Sequence, residues 1–409
     1  MNTLELPTNI DIAIIGGGPH ALTLATHLLQ KRKTMRGRFW VFDPSGTWMS
    51  RWNEQFSALE IPHLRSPAVH HPDPNPHGLR GFAENRSPEL FPPYDLPGTQ
   101  LFRDFCENVV QRWQLQNQII SAKVMRLEPP KPSINRRFHL HLENGKVITA
   151  RRVVSAMGNH VSQLPEWVKQ IPPNYPPERL CHSSQVKLPG LNLAGERILI
   201  IGGGLTSGHL AVGAIAGHAK VSLMSRRCLY EKLFDADPGW LGPKYLKGFF
   251  AEKSWEQRWY LIQQARNGGS LTPAIMTYLR RVSHEGKLTF HEQCQVTAAQ
   301  WQGENWQVHC DDGTTQEFDR IWLATGNTLN VTTNPLLAEV LEHYPVPIVK
   351  GLPVLNSCLS WQGCELFLMG GLAALQVGPT ARNLSGARMA CDRIVPALTK
   401  ASVSLNLPA

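Results

Sequence analysis

Ile10-Asp11-Ile12-Ala13-Ile14-Ile15-Gly16-Gly17-Gly18-Pro19-His20-Ala21, continuing as LTLATHLLQ, is the stretch on which the fold turns. The short β-branched run reads as a strand buried on both faces of a parallel sheet. Three glycines then make a tight turn, and the apolar spacing beyond them is helical. The same order returns in Arg197-Ile198-Leu199-Ile200-Ile201-Gly202-Gly203-Gly204-Leu205-Thr206-Ser207-Gly208, continuing as HLAVGAIA. A lone glycine motif says little. Two of them, each set between a strand and a helix, point to two dinucleotide sites. Such a turn lets backbone N–H groups and the positive end of the helix meet a pyrophosphate.

Outward from each turn comes a second strand. Arg38-Phe39-Trp40-Val41-Phe42 ends in Asp43, 25 residues beyond Gly18. Lys220-Val221-Ser222-Leu223-Met224 ends in Ser225-Arg226-Arg227, with Arg226 22 residues beyond Gly204. The residue at this place reads the adenosine ribose. Asp43, followed by Pro44, accepts hydrogen bonds from ribose hydroxyls and repels an added phosphate. Arg226 and Arg227 suit a 2′-phosphate through charge-assisted bonds. The plainer alternatives are a turn aspartate and a solvated arginine pair. Together the two ends imply hydride passing from NADPH to FAD.

Each half also carries a hairpin signal, Asn144-Gly145 and Asp312-Gly313, and then a strand ending in a small-residue turn at Gly158 and Gly326. The expected fold is therefore α/β, with two Rossmann-like dinucleotide-binding units of the three-layer ββα type. In this layout an NADPH domain (181–320, with a helical insert at about 229–285) interrupts a FAD domain split between 1–180 and 321–409. The proline-rich stretch 164–177 and Pro189-Gly190 read as the connection.

Composition narrows the remaining classes. Of 409 residues, 42% are hydrophobic and 18% charged, which excludes bulk disorder. No apolar run approaches the roughly 20 residues of a spanning helix, and the N-terminal segment has no signal-like pattern. Eight cysteines contain no Cys-x-x-Cys pair and no zinc spacing, so no metal site is expected and the thiols read as reduced and cytoplasmic. A net charge of +9 is scattered in short clusters such as Arg136-Arg137 and Arg226-Arg227, without the aromatic interleaving of a nucleic-acid surface. Expected partners are a small-molecule substrate and oxygen, with homo-oligomerisation open.

On these motifs the chain resembles the NADPH-dependent flavin monooxygenases, and most closely their ornithine/lysine N-hydroxylase branch. GGGPHA (Gly16, Gly18, Pro19, His20 and Ala21) matches the FAD fingerprint, and Gly46-Thr47-Trp48 is similar to the segment flanking the flavin. The turns at Gly158 and Gly326 match the linkers between domains. His182-Ser183-Ser184 is similar to the His-Ser part of the monooxygenase signature. Gly370-Gly371 and Gly378-Pro379-Thr380-Ala381-Arg382-Asn383-Leu384 resemble the closing FAD segment, whose helix N-terminus would face the flavin ring. On the second site the resemblance carries over to Gly202, Gly204, Leu205, Thr206 and Ser207 with Arg226 and Arg227.

Two places depart from the family pattern. Pro176 and Glu178 replace an aromatic residue and a glycine of the signature, and Gly371-Leu372 stands where an aspartate often follows the glycine. The resemblance implies oxygenation of an amine or other soft nucleophile through a flavin hydroperoxide. Pro176 and Glu178 favour the alternative, an NADPH-dependent FAD reductase feeding a quinone or a protein carrier. A non-catalytic nucleotide sensor is a third reading.

Catalytic candidates are few, since flavin would carry the chemistry. In the stiff loop ALEIPHLRSPAVHHPDPNPH, His63 and Arg65 are candidates to contact substrate or nicotinamide, whereas His71 and His77 read as surface residues. His182 is the third candidate. The insert offers Trp240, Lys244 and Tyr245 as substrate contacts, because the family's insertion at this place helps form the substrate pocket. Trp255 and Trp259 read as core packing.

Overall fold

The structure, a computed structural model, describes residues 7–131, 137–158 and 161–399. Arg136 of the Arg136-Arg137 pair lies outside the described residues.

The first sheet runs Ile119–Ser121, Phe39–Asp43, Asn9–Ile15, Val147–Ser155, Phe138–Leu142, Val124–Glu128, with Leu366–Leu368 also paired to Val147–Ser155. The nine-residue strand Val147–Ser155 serves two partners. Its first half closes the Asn144-Gly145 hairpin against Phe138–Leu142, and its second half lies parallel to both Asn9–Ile15 and Leu366–Leu368. Chain from far beyond residue 320 thus returns to complete the first sheet. Ile12, Ala13 and Ile14 are wholly buried, as a strand covered on both faces requires.

The second sheet is parallel throughout, in the order Leu180–His182, Arg320–Leu323, Arg197–Ile201, Lys220–Ser225, Leu288–Glu292. One face packs on helices Leu205–Ala216 and Pro273–His284. The other packs on a three-stranded antiparallel sheet, Val296–Trp301, Trp306–Cys310 and Thr315–Phe318, through the buried Trp306 and Ile321.

The insert does not behave as one body. Helix Pro273–His284 belongs to the second core, while Phe249 and Ile262, from helices Pro243–Ala251 and Trp255–Arg266, are buried in the first. Trp255 and Trp259 pack there too. Arg258 fixes this attachment: its guanidinium lies 4.4 Å from the Trp255 ring centroid and donates to the carbonyls of Glu252, Phe250 and Leu375. A helix can cross from one unit to the other because its apolar face follows the larger available core, whichever domain its neighbours in sequence occupy.

Candidate active-site cleft

Both glycine turns sit at the carboxyl ends of parallel strands, where ligands of open α/β sheets lie. In the first, Gly16 has φ +102°, and a Cβ there would stand 3.2 Å from the Ala156 backbone. Gly18 begins helix Pro19–Lys31 with no side-chain cap and nothing within 4 Å of where its Cβ would be. Unsatisfied N–H groups therefore face open space, which fits a pyrophosphate. Asp43 stands beside them, with Oδ2 accepting the Gly17 N–H at 2.8 Å and Oδ1 accepting from Ser45. Ser45 fills Oδ1 with its N–H and hydroxyl, while Oδ2, holding only the Gly17 bond, keeps a lone pair for a ribose hydroxyl. Pro44 is exposed beyond it, and the Trp48 indole donates to Leu115 O at 3.0 Å, fixing the flank of the site.

His20 and the closing segment meet across this loop. His20 Nε2 lies 3.0 Å from the carbonyl of Ala381, and burial lowers its pKa, so the neutral ring donates there. Gly378 takes φ +97°, while a Cβ on Gly371 would strike Leu329 at 2.6 Å. Helix Leu384–Thr399 starts just beyond, and Pro379 is buried between.

The second turn repeats the geometry. Gly202 has φ +152° and no room for a Cβ against Ala324 O, and Gly204 leads uncapped into helix Leu205–Ala216. Arg226 is exposed and makes no hydrogen bond or ion pair with other described residues, so its guanidinium is available to a phosphate. Its neighbour is not. Arg227 donates to the carbonyls of Asn267 and Gly269 and lies over Tyr230, which corrects the expectation that both arginines read the ribose. Ser207 is also corrected: it is fully buried, with its hydroxyl donating to Gly204 O at 2.6 Å. Leu205 instead faces a cavity of about 260 Å³ that His63, Arg65 and His209 also line. His63 further stacks on Phe91 at 4.9 Å. Thr206 is half-buried in the first helical turn.

The joint between the units is a ribbon in which Val161–Ser162 pairs antiparallel with Asn327–Thr328. His182 clips it. Its Nε2 lies 3.1 Å from Gly326 O, and its Nδ1 lies 2.9 Å from Ser184 Oγ and 3.2 Å from Ser162 Oγ. Burial lowers its pKa, so the neutral ring donates through Nε2 and accepts at Nδ1. With both nitrogens engaged, His182 is a positioning residue and not the catalytic one expected. Gly158 is exposed just before the ribbon.

Arg65 likewise departs from its expected part. It donates to Leu233 O, Ser270 O, Lys232 O and Ser270 Oγ, and so ties the loop of the first unit to the insert. What this clamp creates is a cluster that motif reading missed. Asp235 is 3.8 Å from Arg65 and is ion-paired with Arg266, which also donates to Pro379 O at 2.7 Å. Arg382, solvent-accessible yet hemmed in by protein, has no hydrogen-bond partner among the described residues. Crowding and the Arg266 charge bring its pKa down to about 10, so it stays charged at neutral pH. Three guanidiniums against one carboxylate leave this cluster with a positive surplus. The three sit more than a hundred residues apart in the chain, so no local motif announces them.

Trp240 and Tyr245 face each other at 5.3 Å, and Trp240 meets Phe249 edge-on; Phe249, not Trp240, lies beside Gly378. Lys244 is exposed, with its ammonium over the Tyr245 ring at 4.8 Å. His71, expected on the surface, is 2% exposed, edge-on to Phe105, because Pro72 and Asp73 fold inward with it. His77 is exposed.

Two glycine-loop units, each with an uncapped helix start after a parallel strand, define a two-dinucleotide oxidoreductase fold. Residues 13–160 match a family described as FAD-NAD(P)-binding. Residues 97–328, more than half of the chain, match the L-lysine 6-monooxygenase/L-ornithine 5-monooxygenase family, and the chain belongs to that family of flavin-dependent monooxygenases. Its fold is similar to ornithine hydroxylase from Pseudomonas aeruginosa (TM-score 0.77, 17% identity, covering 95% of this chain and 98% of that one). It is similar to the ornithine N-hydroxylase of Kutzneria sp. 744, solved with reduced FAD, NADP+ and L-ornithine (0.79, 16%, 96% and 99%). A third likeness is L-lysine 6-monooxygenase from Pseudomonas syringae (0.75, 15%, 96% and 100%). No curated protein matches in sequence. Among the described residues no helix is long and apolar enough to cross a membrane.

Proposed function

We propose that the chain uses NADPH and FAD to hydroxylate a small amine that also carries an anionic group. The observation that supports the cofactor assignment is the contrast between Asp43 at one uncapped glycine loop and the unpaired Arg226 at the other. FAD would lie along Gly16, Gly18, Asp43 and the closing segment, and NADPH along Gly202, Gly204 and Arg226. In domain terms, the FAD unit takes the two ends of the chain and the NADPH unit the middle. Family membership favours oxygenation over the reductase alternative. Pro176 and Glu178 lie in a short turn before Leu180–His182, where the Glu178 carbonyl accepts from Arg320, an edge role in packing.

Bound FAD would supply hydride acceptance and oxygen activation. The chain's own residues orient and shield. Gly371 admits Leu329 against the closing segment, the aromatic pair Trp240 and Tyr245 walls the insert side, and His182 holds the joint at one angle. Arg382, beside the N-terminus of helix Leu384–Thr399, would hold the substrate's carboxylate or phosphate. An amine must be unprotonated to attack oxygen as a nucleophile, and the positive surplus around Arg382 lowers an ammonium pKa.

The test is steady-state turnover on amines with and without a carboxylate, with the hydroxylamine product quantified. Arg382→Gln should raise KM for a carboxylated amine on the order of 10-fold or more, as loss of a charged hydrogen bond implies. It should leave KM for a simple diamine unchanged. Equal loss on both would refute the anion role.

A further inference from the structure

Away from the cleft, the three-stranded sheet brings together side chains that no motif in the sequence joins. Cys294, Cys310 and Asp312 each offer one ligand atom within 4.8 Å of the others, and Cys294 Sγ is 4.0 Å from Asp312 Oδ2. Both thiols are buried. The hairpin places them: Val296 pairs with Cys310, so the residue two before the first strand meets the end of the second. Asp312 Oδ1 is committed to Thr314, at 2.9 Å from its N–H and 2.7 Å from its hydroxyl, which leaves Oδ2 facing the sulfurs. Beside them, His291 Nε2 is buried with no hydrogen-bond partner among the described residues, and the ring is close enough to Asp312 for their charges to interact.

We propose that Cys294, Cys310 and Asp312 bind one Zn2+, with His291 or a water in the fourth place. Ligand atoms about 2.3 Å from a tetrahedral zinc lie roughly 3.7 Å apart, so donors now within 4.8 Å of one another need to draw in by at most about 1 Å. Two thiols and a carboxylate around a divalent ion are balanced by loss of two protons to solvent, which leaves a singly negative centre. Open water on the Asp312 side gives the ion its entry path. The centre would brace the segment that reads the nucleotide, because the Cys294 N–H donates to Ser225 O at 3.2 Å and Glu292 accepts from the Leu229 N–H at 2.6 Å. Arg226 lies between those two anchors. Zinc here is a structural metal, distinct from the flavin chemistry and independent of it.

The full-length protein, reduced and stripped of metal, is titrated with zinc against a chromogenic chelator and, in parallel, with Co2+. One zinc per chain, with cobalt d–d bands in the red where flavin is transparent, is the expected result. Cys294→Ser and Cys310→Ser should each abolish it, and Cys106→Ser, a thiol buried in the first unit, should not. Asp312→Asn, on an exposed turn that tolerates the change, should weaken zinc while flavin colour and the melting profile stay normal. Failure of the reduced protein to take zinc overturns the proposal, as does zinc retained in a Cys294→Ser/Cys310→Ser double variant. A Cys294–Cys310 disulfide whose reduction brings no zinc binding overturns it too.

Discussion

The two glycine-loop units share their strained parts and differ in their free ones. Gly16 and Gly202 both adopt positive φ, and each lies against the backbone of the small residue that ends a neighbouring strand, Ala156 or Ala324. That glycine is imposed by strand closure and carries no information about the ligand. Information lies one strand over, where Asp43 bonds back to its own loop and Arg226 bonds to nothing described. The roofs differ as well. His20 of the first helix reaches the closing segment at Ala381. Over the second loop stands Gly269 of the insert, whose Cβ would come 3.2 Å from Gly204 Cα. Fold constraints repeat, and ligand choice is written in the residues left unpaired.

The largest expected effects test whether the units fail separately. Gly16→Ala and Gly202→Ala each force an L side chain into a positive-φ position against backbone, costing about 3 kcal/mol or more locally. Gly16→Ala should purify without flavin. Gly202→Ala should stay yellow but no longer bleach with NADPH under anaerobic conditions. Loss of flavin in both would break the comparison and make the two sites one cooperative unit.

Next in size is the ribose reader. Removing the Arg226 guanidinium from a phosphate costs about 1.5–3 kcal/mol, so Arg226→Ala should raise KM for NADPH roughly 10- to 100-fold and leave NADH turnover unchanged. Arg227→Ala should act instead on stability, with equal effects on both nucleotides, since its bonds go to Asn267 and Gly269. If Arg227 proves selective for NADPH, the division between the two arginines is wrong.

Acid should weaken both units alike. Burial holds His71 in the first unit and His209 in the second at about 4, and His63 adds to the effect at His209. An unfolded histidine titrates near 6.5, so the unfolded chain takes up the proton first as pH falls. Stability is therefore complete above about pH 6.5 and lost progressively down to about pH 4, by roughly 2 kcal/mol per histidine near pH 5. His71→Asn and His209→Asn should each remove part of that acid limb in a melting series, the other buried histidines such as His20 and His182 keeping the rest. A limb unchanged by either would assign it to other groups.

The paired strands, both hairpins and the helical nature of the insert were legible because each rests on local period and turn chemistry within some thirty residues. What long-range packing decided was not. Nothing near Arg65 in sequence says that Leu233 and Ser270 will take its donors. His71 is surrounded by prolines that suggest a surface loop, yet it is buried. The Arg266–Asp235–Arg382 cluster assembles only when distant segments meet, and the two thiols, sixteen residues apart on one hairpin, fit no metal-ligand spacing, so rules for local motifs pass over both. Even the site residues in the glycine loops split along this line: the backbone positions follow from the motif, while Ser207 turned its hydroxyl inward.

Ser207 provides the finest distinction between the units, because Ala21 occupies the equivalent place after Gly18 and is just as buried. Ser207→Ala makes the second loop like the first. It removes one buried hydroxyl bond to Gly204 O while leaving that carbonyl bonded to the N–H groups of Ser207 and Gly208, so the loss should be about 1 kcal/mol or less in a chemical melt. KM for NADPH should stay within about twofold, since an alanine serves the FAD-type loop in the same position. A tenfold rise would mean that the hydroxyl rotates out to the phosphates when nucleotide binds, and that the inward bond is only its resting partner.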